Sequence, residues 1–425
     1  SIIATLKERR NFLAEEVMKY YHFIASEVTI TASDKHDLFE VTRNDDGSML
    51  VQVFKLKNGE KADKKYERLF IGGETKEVRL FGFDGDDKFL IHGNNDKVKI
   101  RMIGGGGADV FEKTAGGKGS SFVYDKDNGE NKMIGKFKNH MSNDSDVNNF
   151  DRLSYNYDKR APGVAIGYNP DDGVFLGLTY KIIAHGFRKT PYKASHTFSI
   201  SHALSTNAWN FRYANEFIGV VGNKGDIITN IDVRAPNFTT NFFGYGIDSE
   251  YDKTKPGRFR YYRARYNQAD ATIMLRERFS PKFSISFGPT FQRFELDAND
   301  KFNAVRYITQ TGVNGLNPAN LYKTQYYAGG LIALELDTRD NKINPQKGVN
   351  WITTVRHLKG IKNTPYSVTQ VNSDLALNFN IINNWLTLAN RTGGGINLGD
   401  KGFEFHQAQY LGIEENLRGF RRYRF

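Results

Sequence analysis

From residue 173 to residue 397, apolar and polar residues alternate with a period of two, the mark of strands with two unlike faces. In 173–185, Val174, Leu176, Leu178, Tyr180, Ile182 and Ala184 share one face, and Phe175, Gly177, Thr179, Lys181 and His185 the other. Further on, Phe283, Ile285, Phe287, Pro289 and Phe291 oppose Ser284, Ser286, Gly288, Thr290 and Gln292. Likewise Val371, Leu375, Leu377, Phe379 and Ile381 oppose Gln370, Asn372, Asp374, Asn378 and Asn380. The pattern predicts eleven antiparallel strands, at 173–185, 192–204, 208–219, 225–234, 239–250, 261–279, 283–296, 324–337, 349–358, 367–380 and 384–397. Strands in soluble sandwiches are usually about five or six residues long. A succession of strands of ten or more suits a bilayer crossing better. The links at 205–207, 235–238, 280–282 and 382–383 are tight, whereas most intervening loops are longer, that over 297–323 most of all. The turn 337–348 is a longer exception on the short-turn side. Short turns at one end and long loops at the other describe a transmembrane β-barrel. Val174, Leu176, Leu178, Leu375, Leu377 and Phe379 are then expected to face lipid, and Thr179, Lys181, Asp374 and Asn378 the lumen. A lipid-facing Lys near the midplane would cost roughly 2–4 kcal/mol.

The upstream text differs. Residues 1–25 predict a helix, with Leu6, Leu13, Val17, Tyr20, Tyr21 and Ile24 on one face. Short β-type runs broken by Gly, Asn and Asp follow from Val28 to Phe122, and the polar stretch 125–158 reads as a loop or linker. The division expected is a helix plus β-rich soluble segment over 1–160 and an incomplete barrel over 161–425. Within the first part, residues 82–89 (Gly-Phe-Asp-Gly-Asp-Asp-Lys-Phe) recur at 104–111 (Gly-Gly-Gly-Gly-Ala-Asp-Val-Phe), twenty-two residues later. A coil of two or three parallel rungs would give that period.

Composition narrows the class. Only 39% of the residues are hydrophobic, yet 13% are aromatic, and no apolar run is long enough for a membrane helix. A barrel tolerates such low hydropathy because only alternate strand residues meet lipid. The net charge of +11 is scattered, with no basic helix or nucleic-acid motif, so nucleic acid is excluded as a partner. The absence of Cys fits a periplasmic or outer-membrane address. The N-terminus has neither a charged nor an apolar leader region and no initiator Met, so the chain is expected to be a mature product or a fragment.

Two motifs carry a resemblance. Asp337-Thr338-Arg339-Asp340-Asn341 precedes Asn344-Pro345-Gln346-Lys347-Gly348, a polar turn after the eighth strand. Glu415-Asn416-Leu417-Arg418-Gly419-Phe420 follows the eleventh. Together, in this order, they resemble the outer-membrane insertase superfamily (BamA-, TamA- and FhaC-like barrels), over about residues 162–425. The resemblance implies that Arg418 lies at the tip of a sixth extracellular loop folded back into the barrel, against acidic residues on strands beyond this chain. A solvated basic loop with Arg421, Arg422 and Arg424 is the plainer reading. That family's barrel has about sixteen strands, so eleven would be part of one. The POTRA repeats of BamA and TamA are not visible in residues 1–160. That stretch looks more like the region before the barrel in members fused to a calcineurin-like metallophosphoesterase, as the strings at 77–82 and 186–189 suggest.

Catalytic signatures are missing: there is no His-Glu-x-x-His, no Gly-x-Ser-x-Gly, no P-loop and no Cys, and the chain reads as non-catalytic and without cofactor. One metal reading stays open. Residues 104–111 match the Gly-Gly-x-Gly-x-Asp-x-apolar turn of calcium-binding RTX-type β-rolls. Stacked turns would bring Asp84, Asp86 or Asp87 near Asp109, either around a calcium ion or as turn formers splayed into water. Function divides between two readings. An insertase-type barrel would insert, assemble or translocate outer-membrane or surface proteins, with outer-membrane lipid, lipopolysaccharide and client or accessory proteins as partners and residues 1–160 in the periplasm. A barrel could instead anchor a fused phosphoesterase-like enzyme. A passive pore fits less well, because the sixth loop would block the lumen.

Overall fold

The computed structural model describes residues 2–114, 119–127, 130–143, 145–154, 156–222, 225–244, 251–298, 318–382, 385–399 and 403–411. The chain forms two compact units, Ser1–Tyr155 and Asn156–Phe425.

The first unit opens with helix α1, Ile2–Ala25. It continues through β1 (Glu27–Thr31), β2 (Asp37–Arg43), β3 (Met49–Lys57), β4 (Glu60–Phe70), β5 (Glu77–Asp84), β6 (Lys88–His92), β7 (Lys99–Gly106), β8 (Val110–Lys113), β9 (Ser121–Tyr124), β10 (Lys132–Ile134) and β11 (Lys138–Asn139). One sheet runs β1-β5-β7-β9-β11 and the other β10-β8-β6-β2-β3-β4. Glu77 pairs with Lys99 and Lys88 with Val110, both in parallel and both twenty-two residues on. Each twenty-two-residue stretch is therefore one rung of a coil, contributing a strand to each sheet. The β3–β4 hairpin is inserted into the first rung, which is why β2 pairs with β6 fifty residues on, Leu38 opposite Lys88. Phe39, Phe89 and Phe111 stack between the sheets at 4.7 and 4.9 Å, with Val78, Leu80, Ile100 and Met102 against them. Strands β10 and β11 lie inside the stretch read from sequence as linker.

The second unit is one antiparallel sheet in strict chain order, β12 to β22. Its strands are β12 (Lys159–Asn169), β13 (Gly173–Ala184), β14 (Ala194–Ala203), β15 (Ala208–Val221), β16 (Gly225–Asn241), β17 (Arg263–Ser280), β18 (Phe283–Leu296), β19 (Gln325–Asp337), β20 (Gly348–Lys362), β21 (Ser367–Ile382) and β22 (Leu386–Leu398). Eleven strands are expected and eleven are present among the described residues, but two assignments change. The first strand is β12, not 173–185. Its sequence hides it, because Pro162 and Gly163 read as breakers and the lumen-side positions Ala161, Gly163, Ala165 and Gly167 carry no alternation. Proline is tolerated here because β12 pairs only with β13 among the described residues. The second change joins 225–234 and 239–250: the supposed turn 235–238 is an irregularity inside β16, where pairing with β17 breaks between Arg234 and Phe238. Asn237 takes a φ of 66° there, a conformation Asn tolerates better than most residues.

The extra strand at the start exchanges the ends of the early connections. The turn 204–207 now lies at the end that carries 242–262, 297–324 and the loop after β22, while 185–193 and 222–224 share the other end with 281–282. The two longest connections thus keep one end, but several short turns join them. The faces follow the alternation. Leu176 and Leu178 point outward, 46% and 62% exposed. Phe175, on the opposite face of β13 with Lys181, meets Phe238 of β16 at 5.9 Å. Contact between strands that are not neighbours in the sheet shows that it curls, with Lys181 on its concave side.

Candidate functional site: the inner wall and the loop docked on it

Alternate residues of the central strands build a charged inner wall. Arg356 of β20 reaches past β19 and β18 to Asp270 of β17 at 2.8 Å and donates to Thr290 at 3.0 Å. Gln292 donates to the same carboxylate at 2.9 Å. Farther along, Asp232 accepts from Arg234 at 2.9 Å and from Asn210 at 2.7 Å. Near the opposite end Asp226, fully buried, accepts from Arg276 at 2.9 and 2.7 Å, from Arg278 at 3.0 Å and from the Gly219 N–H at 2.8 Å. Asp374 and Arg391 pair on β21 and β22 at 2.6 Å. Each of these cations has a carboxylate partner, from the same strand for Arg234, from a neighbouring strand for Arg276, Arg278 and Arg391, and from three strands away for Arg356, as a partly dry wall requires.

Beyond β22 the chain turns back onto this wall. Phe405 is buried edge-on against Phe242 and Phe294, with ring centroids at 5.3 and 5.9 Å. Tyr266, Leu296 and Leu321 complete the pocket. The His406 ring lies flat on Phe294 at 3.6 Å. Polar contacts fix the ends of the segment. Gln325 donates to Glu404 at 3.0 Å, and the Gln407 carbonyl accepts from Gln370 and Asn397, both at 2.8 Å. Phe403 packs on Tyr327, Leu358 and Val368. The loop is thereby attached to strands from β16 to β22. Removing the Phe405 ring deletes its central anchor, at a cost of roughly 3–5 kcal/mol to the docked state. Phe405→Ala should make residues 403–411 cleavable by added protease in the membrane-folded protein; an unchanged cleavage rate would mean that the anchor lies elsewhere.

Sequence reasoning placed the docking residues later, at Glu415, Asn416, Leu417, Arg418, Gly419 and Phe420, and these lie outside the described residues. It passed over 403–407, where the run Phe403, Phe405, His406 ahead of the motif was the available signal. The other motif folds into a built turn after β19, the eighth strand. Asp337 takes Arg339 in a two-pronged pair, both contacts at 2.9 Å. Asp340 accepts the N–H groups of Asn341, Gln346 and Lys347 at 2.9, 3.0 and 3.2 Å, wrapping the turn that contains Pro345 around one carboxylate. Gly348 has a φ of 112°, and a Cβ there would sit 2.5 Å from the Thr338 carbonyl, so only glycine closes this turn.

In the coil of the first unit, the four aspartates considered for calcium do not converge. Asp84 and Asp86 are exposed, and Asp86 accepts the Ala108 N–H at 2.9 Å. Asp87 and Asp109 are buried in a ladder climbing the rungs. The Asp37 N–H donates to Asp87 at 2.8 Å, the Asp87 N–H to Asp109 at 2.7 Å, and the Asp109 N–H to Asn131 at 2.7 Å. Asp125, absent from the sequence-level set, is equally buried; a Cβ on Gly104 would sit 2.2 Å from an oxygen of both Asp109 and Asp125. Burial pushes Asp87 up to about 8 and moves Asp109 and Asp125 upward as well. Among the described residues no group of three or more His, Cys, Asp or Glu side chains is placed to hold a metal ion. Asn131 at the last step shows that the ladder needs an acceptor, not a charge.

Long strands in sequential antiparallel order, apolar outside and charged inside, with a loop returned to the inner wall, define an outer-membrane β-barrel. The Omp85 superfamily domain matches residues 210–424, half of the chain, and the chain belongs to that superfamily. Among solved structures it is similar to BamA from Haemophilus ducreyi lacking POTRA domains 1–3, with a TM-score of 0.44 and 12% identity. That similarity covers 70% of this chain and 49% of the other, so the chain spans about half the length of that structure. No curated protein matches the chain.

Proposed function

We propose that this barrel inserts, assembles or translocates other outer-membrane or surface proteins, with the unit Ser1–Tyr155 in the periplasm. The observation that carries the reading is the make-up of β12. Its outward side chains, Val164, Ile166 and Tyr168, are 77%, 77% and 73% exposed, whereas between its end residues Lys159 and Asn169 the lumen side presents Ala161, Gly163, Ala165 and Gly167. Between those ends, no side-chain hydrogen bond or ion pair among the described residues ties this strand to the inner wall. Backbone hydrogen bonds to β13 and lipid contacts hold it, so its far edge is suited to exchanging one strand partner for another. No cofactor is needed for such templating. The docked segment 403–409 supports an occluded lumen over an open pore.

The anchor reading has one observation in its favour. The unit before the barrel is a coil of parallel rungs, not the β-α-α-β-β repeat that handles clients in BamA-like proteins. A photo-crosslinker at Val164 or Ile166 separates the two. Capture of nascent outer-membrane proteins there, and not at outward-facing Phe287 of β18, supports insertion. Absence of capture at all three positions would sink it in favour of the anchor.

A further inference from the structure

Where β12 meets β13, the turn 170–172 does not point away from the barrel. Asp172 is fully buried and Asp171 9% exposed. Strand β16 outruns β15 here: their pairing stops at Asn210 opposite Arg234, while β16 continues to Asn241 with β17 on one side only. Its outer N–H groups need acceptors, since an unpaired buried amide costs about as much as a lost hydrogen bond. The turn supplies one, and holds a side-chain amide beside it. Asp172 accepts the Thr239 N–H at 3.1 Å, the Thr206 hydroxyl at 3.0 Å and the Asn169 amide at 2.9 Å. Asp171 accepts from Asn241 at 2.6 Å and faces Arg263 of β17 at 3.6 Å. One short turn thus ties the first hairpin to the β14–β15 turn, to β16 and to β17. At the other end of the hairpin the His185 N–H donates to Asp158 at 2.7 Å, a bond within the hairpin that moves with it.

We propose that Asp171 and Asp172 form a fixed hinge, so that the first hairpin of the barrel moves away from its neighbours from the Lys159 end and not from the Asn169 end. This rests on the reading that β12 borders a seam that opens. At the Asn169 end, motion would have to break the hydrogen bonds from Thr239, Thr206 and Asn241 and the ion pair with Arg263 around buried carboxylates. At the Lys159 end, Ala161 and Gly163 on the inner face of β12 make no corresponding side-chain bond among the described residues.

Hydrogen exchange along β12 in the intact, membrane-folded protein reads this directly. Amides at 159–163 should exchange at least about tenfold faster than those at 166–169. In Asp172→Ala the 166–169 amides should speed up by about tenfold or more, erasing the gradient, while those of β18–β20 stay unchanged. Asn241→Ala, which keeps both carboxylates, gives a partial version if Asp172→Ala does not fold. Uniform exchange along wild-type β12, or a fast end at 166–169, would overturn the hinge. Crosslinking at Val164 in the same preparations separates the two ideas. Client capture with uniform exchange sinks the hinge alone, and graded exchange without capture sinks the insertase reading alone.

Discussion

Asp226→Ala should destabilise the barrel more than any other single charge deletion on its inner wall. The carboxylate is fully buried at the start of β16 and takes hydrogen bonds from Arg276, Arg278 and the Gly219 N–H. Glu216 also pairs with Arg276, but Arg278 has no other carboxylate in its ion pairs among the described residues. Removing one partner of a buried pair leaves the other charge uncompensated, at roughly 3–5 kcal/mol. The Gly219 amide loses its acceptor as well. Asp226→Asn should fall between, because an amide oxygen still accepts while the charge is gone. Urea unfolding followed by heat-modifiable gel mobility measures the effect. A midpoint for Asp226→Ala equal to wild type would show that water or the rearranged guanidinium groups replace the carboxylate at no cost.

The second large effect is a pH dependence in the coil. Glu77 lies almost buried on the outer face of the five-stranded sheet, between Arg79 at 2.8 Å, Arg101 at 2.8 Å and Lys99 at 3.3 Å. Burial by itself would raise its pKa, but the Arg101 and Arg79 guanidinium groups outweigh it and hold the carboxyl at about 2, against an ordinary 4.5. The folded state thus releases this proton more readily than the unfolded chain does. The stabilisation is complete above pH 4.5 and is lost as the pH falls from there through 2. A shift of this size corresponds to about 3 kcal/mol. Glu77→Gln should therefore be less stable than wild type at pH 6, with the difference closing towards pH 2. Pulse proteolysis of the intact protein, scored on cleavage within 27–139, follows it. A difference that persists unchanged at pH 2 would assign the loss to packing and not to charge.

Much of this molecule is local and therefore readable. The alternation in 173–185, 283–292 and 370–381 reports which face of each strand meets lipid, since a strand's two faces differ whatever lies beside it. The helix Ile2–Ala25 follows from its three-to-four spacing, and the turn closed by Gly348 from a polar run that only glycine can end. The twenty-two-residue step between Gly82 and Gly104 is the offset at which Glu77 pairs with Lys99. Tertiary structure decided the rest. Strand β12 became a strand because β13 offers its edge, although Pro162 and a run of small residues argued against it. Residues 235–238 stayed inside β16 because β17 pairs on both sides of the irregularity. Arg356 and Asp270 are eighty-six residues apart, and Phe405 and Phe242 farther still, yet the curl of the sheet brings each pair together. Spacing along a chain fixes the direction of a side chain relative to its own strand. Which distant side chain it meets depends on how the strands are registered and how far the sheet closes, and neither is written in any one segment.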